Sequence, residues 1–212
     1  MKKTIFCLIF GVCIFHSYAQ CCMIDTLTLK TVYKDLMNHP DDLECQQAYF
    51  DAFPSTALEF TCLFGFCSQE KNLYDAGYNY IQALGERVPL IPDSVYCRKL
   101  INISIGLIYE ADASNYFKSV LHNAIWQKME VMFRIISTLS KGYQLQFWQI
   151  YWANLYRKEK LIMEFERLKK LNEDRYPEEV RTMSIAYEYF CGGHPFYSFF
   201  SASSFIKALK LK

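Results

Sequence analysis

Tyr143-Gln144-Leu145-Gln146-Phe147-Trp148-Gln149-Ile150-Tyr151-Trp152-Ala153-Asn154-Leu155-Tyr156 is the stretch that decides the fold. Leu145, Phe147, Trp148, Ile150, Tyr151, Trp152 and Leu155 leave it no polar face. A helix that is apolar nearly all round is normally buried on every side. The segment therefore reads as the central helix of an all-α domain, with other helices packed around it.

The neighbouring segment contrasts with it. From Lys158 to Arg175, Leu161, Phe165, Leu168 and Leu171 form one stripe, and charges cover the rest. Lys160–Glu164 and Glu166–Lys170 fall at helical pair spacing. That pattern predicts an outer helix with a solvated face. Pro177 suits a first helical position, and Glu178 and Glu179 favour the positive end of the helix dipole. The last clear helix then runs through Met183, Ala186, Tyr187 and Phe190 to Gly192-Gly193.

Toward the N-terminus, the pattern predicts a helix from Leu27 to Met37, ended by Asn38-His39-Pro40. Asp41 then reads as an N-cap with Glu44 three residues on, opening a helix through Leu43, Ala48, Tyr49 and Phe50 to Pro54. Thr56 and Glu59 make a capping box, and Gly65 is placed to stop that helix. Tyr74 to Leu84 follows, closed by Gly85. After Pro89 and Pro92, Asp93 or Ser94 caps a helix with Val95, Leu100, Ile103 and Leu107 inward. A longer helical region from Asp112 passes Trp126, Met129, Phe133 and Ile136 to Gly142, with its interruption expected at His122-Asn123. No run of alternating β-branched residues and no hairpin dipeptide competes with this reading. The expectation is all-α: an irregular bundle or short solenoid-like stack of eight or nine antiparallel helices. The Trp, Gly, Tyr and Pro positions of a tetratricopeptide period do not recur.

Residues 1–19 read as a secretory signal peptide. Lys2 and Lys3 supply the charge, Ile5 to Phe15 the short apolar stretch, and Ser17-Tyr18-Ala19 the small residues before cleavage. That stretch is too short to span a bilayer, and no other segment has the run that a span needs. Cys21 raises a lipoprotein alternative, which Gln20 before it disfavours. The expected organisation is a signal peptide over 1–19, one helical domain over 20–193 and an aromatic, basic tail over 194–212. In that tail Phe196, Tyr197, Phe199, Phe200, Phe205 and Ile206 precede Lys207, Lys210 and Lys212. Docking on the domain is its expected role, ahead of covering a neighbouring subunit or resting on a membrane surface.

Of 23 basic and 22 acidic residues, Lys2 and Lys3 leave with the signal, so the mature chain has a formal charge of −1. That balance carries no footprint for nucleic acid. The content, 52% hydrophobic and 17% aromatic, is ample for a core and excludes a disordered chain. Cys21, Cys22, Cys45, Cys62, Cys67, Cys97 and Cys191 remain after cleavage, an odd set in an oxidising compartment. Cys45, Cys62 and Cys97 lie within helical apolar patterns and read as small buried residues.

Catalytic patterns are missing. The chain has no HExxH, CxxC, GxSxG, phosphate loop or dinucleotide fingerprint, and His39, His122 and His194 lie far apart. The best acid–base guess is Glu110 and Asp112 near His122, although Asp112 is better explained as an N-cap. Trp148 and Trp152, one turn apart with Tyr151 and Tyr156 close by, suit a sugar-stacking platform or a core, and core is the better reading. Asp41-Asp42 and Glu178-Glu179 look like acidic metal pairs, but each sits where a helix start explains it. Asn102-Ile103-Ser104 matches a glycosylation sequon inside an expected helix, where it reads as chance. No metal, cofactor or catalytic residue is assigned.

Gln47-Ala48-Tyr49-Phe50-Asp51-Ala52-Phe53-Pro54, followed by Glu59-Phe60 and Leu63-Phe64-Gly65-Phe66, resembles a segment of small secreted helical proteins of Gram-negative gut bacteria. The similarity extends from about Asp41 to Phe190, through Tyr96-Cys97-Arg98-Lys99-Leu100-Ile101-Asn102 and Gln146-Phe147-Trp148-Gln149. Those proteins carry no assigned activity, and some resemble companions of interbacterial toxins. The resemblance implies an immunity protein and transfers no site residue. The expectation is a periplasmic or extracellular, non-enzymatic protein that binds another protein. The alternatives are a small envelope hydrolase or glycan binder, and a structural envelope component.

Overall fold

The computed structural model describes residues 25–65, 73–108, 111–153 and 158–191. Residues 1–19, Cys21, Glu110, Tyr156 and residues 194–212 lie outside them, and with them the expected signal peptide and tail. Ten helices and no strand occur among the described residues: α1 (Thr26–Asn38), α2 (Leu43–Ala52), α3 (Ala57–Phe64), α4 (Gly77–Glu86), α5 (Asp93–Ser104), α6 (Ala111–Gln127), α7 (Met129–Ser137), α8 (Lys141–Trp152), α9 (Lys158–Asn172) and α10 (Pro177–Cys191). The all-α class is as expected. The extra helix comes from the long segment after Asp112, which breaks at Lys128 rather than at His122-Asn123. Ala124 and Ile125 are buried, so core packing carries the helix through the polar dipeptide. Contacts divide the chain into two compact units, Met1–Met129 and Glu130–Lys212.

Helix starts follow local chemistry, with shifts of a residue or two. Asp25 caps α1, accepting the Leu27 and Thr28 amides at 3.0 and 3.1 Å. Asp42, not Asp41, caps α2 by accepting the Cys45 amide at 3.0 Å. The Thr56–Glu59 capping box at α3 forms in full, and Gly65 ends that helix. Pro92 precedes α5, so Asp93 lies in the first turn instead of capping it. Asp112 is likewise inside the first turn of α6. In both places the carboxylate still lies at the positive end of the helix dipole.

Gly85 does not close α4 but lies within it. A Cβ there would sit 3.0 Å from a Val120 methyl on α6, so the glycine lets the two helices touch. Alanine in a helix interior ordinarily gains about 0.5–1 kcal/mol over glycine. Here Gly85→Ala is expected to lose that gain, and Gly85→Val to lower the unfolding free energy by about 1 kcal/mol in a urea titration.

In the first unit the main helix pairings are α1 with α2, α3 with α5 and α4 with α6, and aromatic contacts cross between these pairs. Tyr33 of α1 lies 4.3 Å from the Tyr80 ring of α4, and Phe50 of α2 lies 6.5 Å from Tyr96 of α5. Phe60 of α3 lies 5.2 Å from Phe117 of α6. Between α2 and α5 the contacts advance together, from Phe50–Tyr96 to Lys99 on the Phe53 carbonyl, so those helices run in the same sense. So do α4 and α6, where Tyr78 meets Tyr116 and Gly85 meets Val120.

Gln46, fully buried, holds two loops together. Its Nε2 donates to the Pro40 carbonyl at 2.7 Å, and its Oε1 accepts the Leu90 amide at 2.8 Å. Gln46→Leu removes both partners and is expected to cost about 1–1.5 kcal/mol by denaturant titration.

The second unit centres on α8. Its Gln144 Nε2 donates to the Ile136 and Leu139 carbonyls, each at 3.2 Å, and Trp148 packs on Phe133. Those contacts run in opposite order, so α7 and α8 are antiparallel. Against α10 the order is shared: Lys141 pairs with Glu178 at 2.9 Å, and Trp152 meets Tyr187. The contrast between an apolar central helix and an outer α9 holds. Leu161, Phe165 and Leu168 of α9 are buried, whereas Leu171 is exposed. Glu164, at pairing distance from Lys160 in sequence, accepts the Tyr151 hydroxyl of α8.

Candidate functional site

The most heavily functionalised segment in sequence terms, the Trp148–Trp152 row, is interior. Both indoles are 0% exposed. Trp152 meets Tyr151, Phe165 and Tyr187 edge to face at 4.7, 6.0 and 5.3 Å, and stacks on Trp148 at 6.2 Å. Phe165 and Tyr187 lie parallel at 4.0 Å, leaving no slot between them for a sugar ring. Gln144 Oε1 and both indole N–H groups have no hydrogen-bond partner among the described residues. All three belong to one ridge of α8, four residues apart, and the two indoles lie inside a shell of ring edges and faces. A π face offers an N–H a weak acceptor, which suits a dry aromatic core. Sequence periodicity detects this burial because the helix is apolar on every side.

The acid–base candidates do not assemble. Asp112 and His122 are ten residues apart on one helix, about 15 Å along its axis, and Asp112 is exposed. Asp42 is occupied as a cap, and the Cys45 amide holds its carboxyl pKa below the usual carboxylate range. Glu178 is held low by Lys141. Among the described residues no group of three or more His, Cys, Asp or Glu side chains is placed to hold a metal ion.

The cysteines divide. Cys62 is disulfide-bonded, which corrects the expectation of a buried free thiol there. It lies half-buried in the last turn of α3, and helical periodicity cannot reveal a covalent partner. Cys45 and Cys97 are free. Burial pushes the Cys97 thiol up to about 11, and Cys45 is also raised, first by burial and then by Asp42. Thiolate is the nucleophilic form, so neither is activated.

Sequence reasoning missed the most unusual ionisable group. Lys99 of α5 is 8% exposed, and its ammonium donates to the Phe50 carbonyl and, at 2.7 Å, to the Phe53 carbonyl. It also lies 4.4 Å from the centre of the Phe50 ring. Burial pushes its pKa from 10.5 down to about 8, against the pull of Asp51 and Glu59. These contacts are those of a cation at the C-terminal end of α2, satisfying its last carbonyls. No signal in the pattern Arg98-Lys99-Leu100 separates a buried lysine from a solvated one.

The side chains that do face solvent are of another kind. Leu27, Leu58 and Met163 are 72%, 63% and 73% exposed. Tyr78 of α4 and Tyr116 of α6 form an edge-to-face pair at 5.1 Å, with Tyr78 at 54% exposure. No helix among the described residues is long and apolar enough to cross a membrane. No protein family, curated protein or solved structure matches this chain.

Proposed function

We propose that this chain is an exported, non-enzymatic helical protein that works by binding another protein, in its sharpest form as an immunity protein against a toxin delivered to the periplasm. The observation that carries the reading is the class of side chain left in water. Large apolar and aromatic groups on regular helices stand open at Leu27, Leu58, Tyr78 and Met163, while the acid–base candidates among the described residues do not converge on one place. Protein interfaces use aromatic and apolar anchors of this kind. The disulfide at Cys62 supports a compartment outside the reducing cytoplasm, as does the signal-like residues 1–19. Neither buried tryptophan lends support to a glycan platform.

The test is capture of the tagged chain from the periplasm of its native host after cross-linking, followed by co-expression with each recovered protein. One stoichiometric partner whose periplasmic toxicity the chain suppresses is the expected result. Recovery of the chain alone, with no protection against any co-expressed toxin of the host's competitors, overturns the reading.

A further inference from the structure

We propose that the open face shared by α4 and α6 docks a protein segment that presents an arginine side chain. This rests on the protein-binding reading above and assigns it a surface and a chemistry. Tyr78 and Tyr116 meet there at 5.1 Å with their planes 80° apart. An edge-to-face pair covers only one of its four ring faces, and Tyr78 is 54% exposed, so π surface stays open. The pair is not needed to join the helices, because Gly85 and Val120 already bring them into contact one or two turns further on.

The helix directions matter next. Because α4 and α6 run in the same sense, residues just before each tyrosine lie toward the same end of the pair. Those residues are Asp75, three before Tyr78 in the turn that leads into α4, and Asp112, four before Tyr116 in the first turn of α6. Both are exposed, and neither makes an ion pair or hydrogen bond with another described residue. Asp112 is explained in part by the helix dipole. Asp75 is not, since α4 starts from Ala76 with no side-chain cap. The cations of these two helices are elsewhere. Arg87 follows the far end of α4, and Lys118 is buried, two residues and therefore about 200° around the helix from Tyr116.

Open tyrosine faces beside two uncommitted carboxylates suit a planar cation. A guanidinium stacks on an aromatic ring while its fork donates to a carboxylate, which an ammonium cannot do in the same geometry. An exposed cation–π contact is weak on its own. A free cation would therefore bind too weakly, and a protein segment adding neighbouring contacts is the occupant that fits. Tyrosine and arginine are also the residue types that dominate interface energetics.

The test titrates the full chain with tetra-arginine peptide while following tyrosine ring and backbone NMR signals. Tetra-lysine and choline serve as comparison probes. The expected result is a set of shifts centred on Tyr78 and Tyr116, with arginine at least threefold tighter than lysine. An Asp75→Asn/Asp112→Asn chain with unchanged circular dichroism is expected to bind at least fivefold more weakly. Shifts spread over the surface, equal binding by the double variant, or a preference for choline would overturn the proposal. Cross-linked capture separates the two readings. A partner held equally by Tyr78→Ala and wild-type chains removes this surface and leaves the protein-binding reading. A wild-type chain that captures nothing removes that reading, and the docking proposal with it.

Discussion

Trp152→Ala is expected to lower the unfolding free energy by about 3–5 kcal/mol, the range for truncating a fully buried large aromatic. The indole is 0% exposed and touches four aromatic rings from three helices, α8, α9 and α10. Little can collapse into the void, because Tyr187 and Phe165 are already stacked on each other. Trp152→Phe is a sharper comparison. It removes an indole N–H that has no hydrogen-bond partner among the described residues and keeps an aromatic edge, so the loss is expected to be about 1–2 kcal/mol. Guanidinium titrations followed by circular dichroism give both numbers. A loss below 1 kcal/mol for the alanine variant would mean that this residue does not lie in a packed interior.

Lys99→Met is expected to cost about 2 kcal/mol at neutral pH. The variant leaves the Phe50 and Phe53 carbonyls without their donor, and removal of a buried cation returns part of that loss. The pH dependence carries more information. With a folded pKa of about 8 against 10.5, the native chain releases this proton before the unfolded chain does. Between those values the unfolded state binds more protons, so the Lys99 contribution to stability rises with pH. Cys97 acts oppositely, because its raised pKa keeps a proton that the unfolded thiol loses near 9, and buried Tyr49 and Tyr96 do the same near 10. Those groups are common to both chains. The difference between wild type and Lys99→Met is therefore expected to grow by about 1 kcal/mol from about pH 7.5 to about pH 9. A difference that stays flat or shrinks would place the ammonium in water.

What the sequence revealed, and what it hid, divides by distance along the chain. The Thr56–Glu59 capping box, the proline at the start of α10 and the buried α8 are all local patterns, and each was legible. Errors arose where a tertiary neighbour overrode a local signal. Gly85 looks like a helix stop, yet it stays helical because Val120 occupies the space that a side chain would need. His122-Asn123 looks like a break, yet buried neighbours on the same helix carry it through. The candidate surface was invisible for the same reason. Tyr78 and Tyr116 are 38 positions apart, and neither has a sequence context that distinguishes it from the chain's other tyrosines.

The contacts of Phe50 with Tyr96 and of Phe60 with Phe117 have a consequence for how the chain comes into being. Synthesis proceeds from the N-terminus at roughly 5–20 residues per second. Phe50 waits for Tyr96 and Phe60 for Phe117, gaps of 46 and 57 residues. For several seconds the first three helices exist with only one another to cover their aromatic faces. Nascent chains of this protein stalled before residue 96 should therefore bind holdase chaperones, and those extended past residue 117 should be released from them.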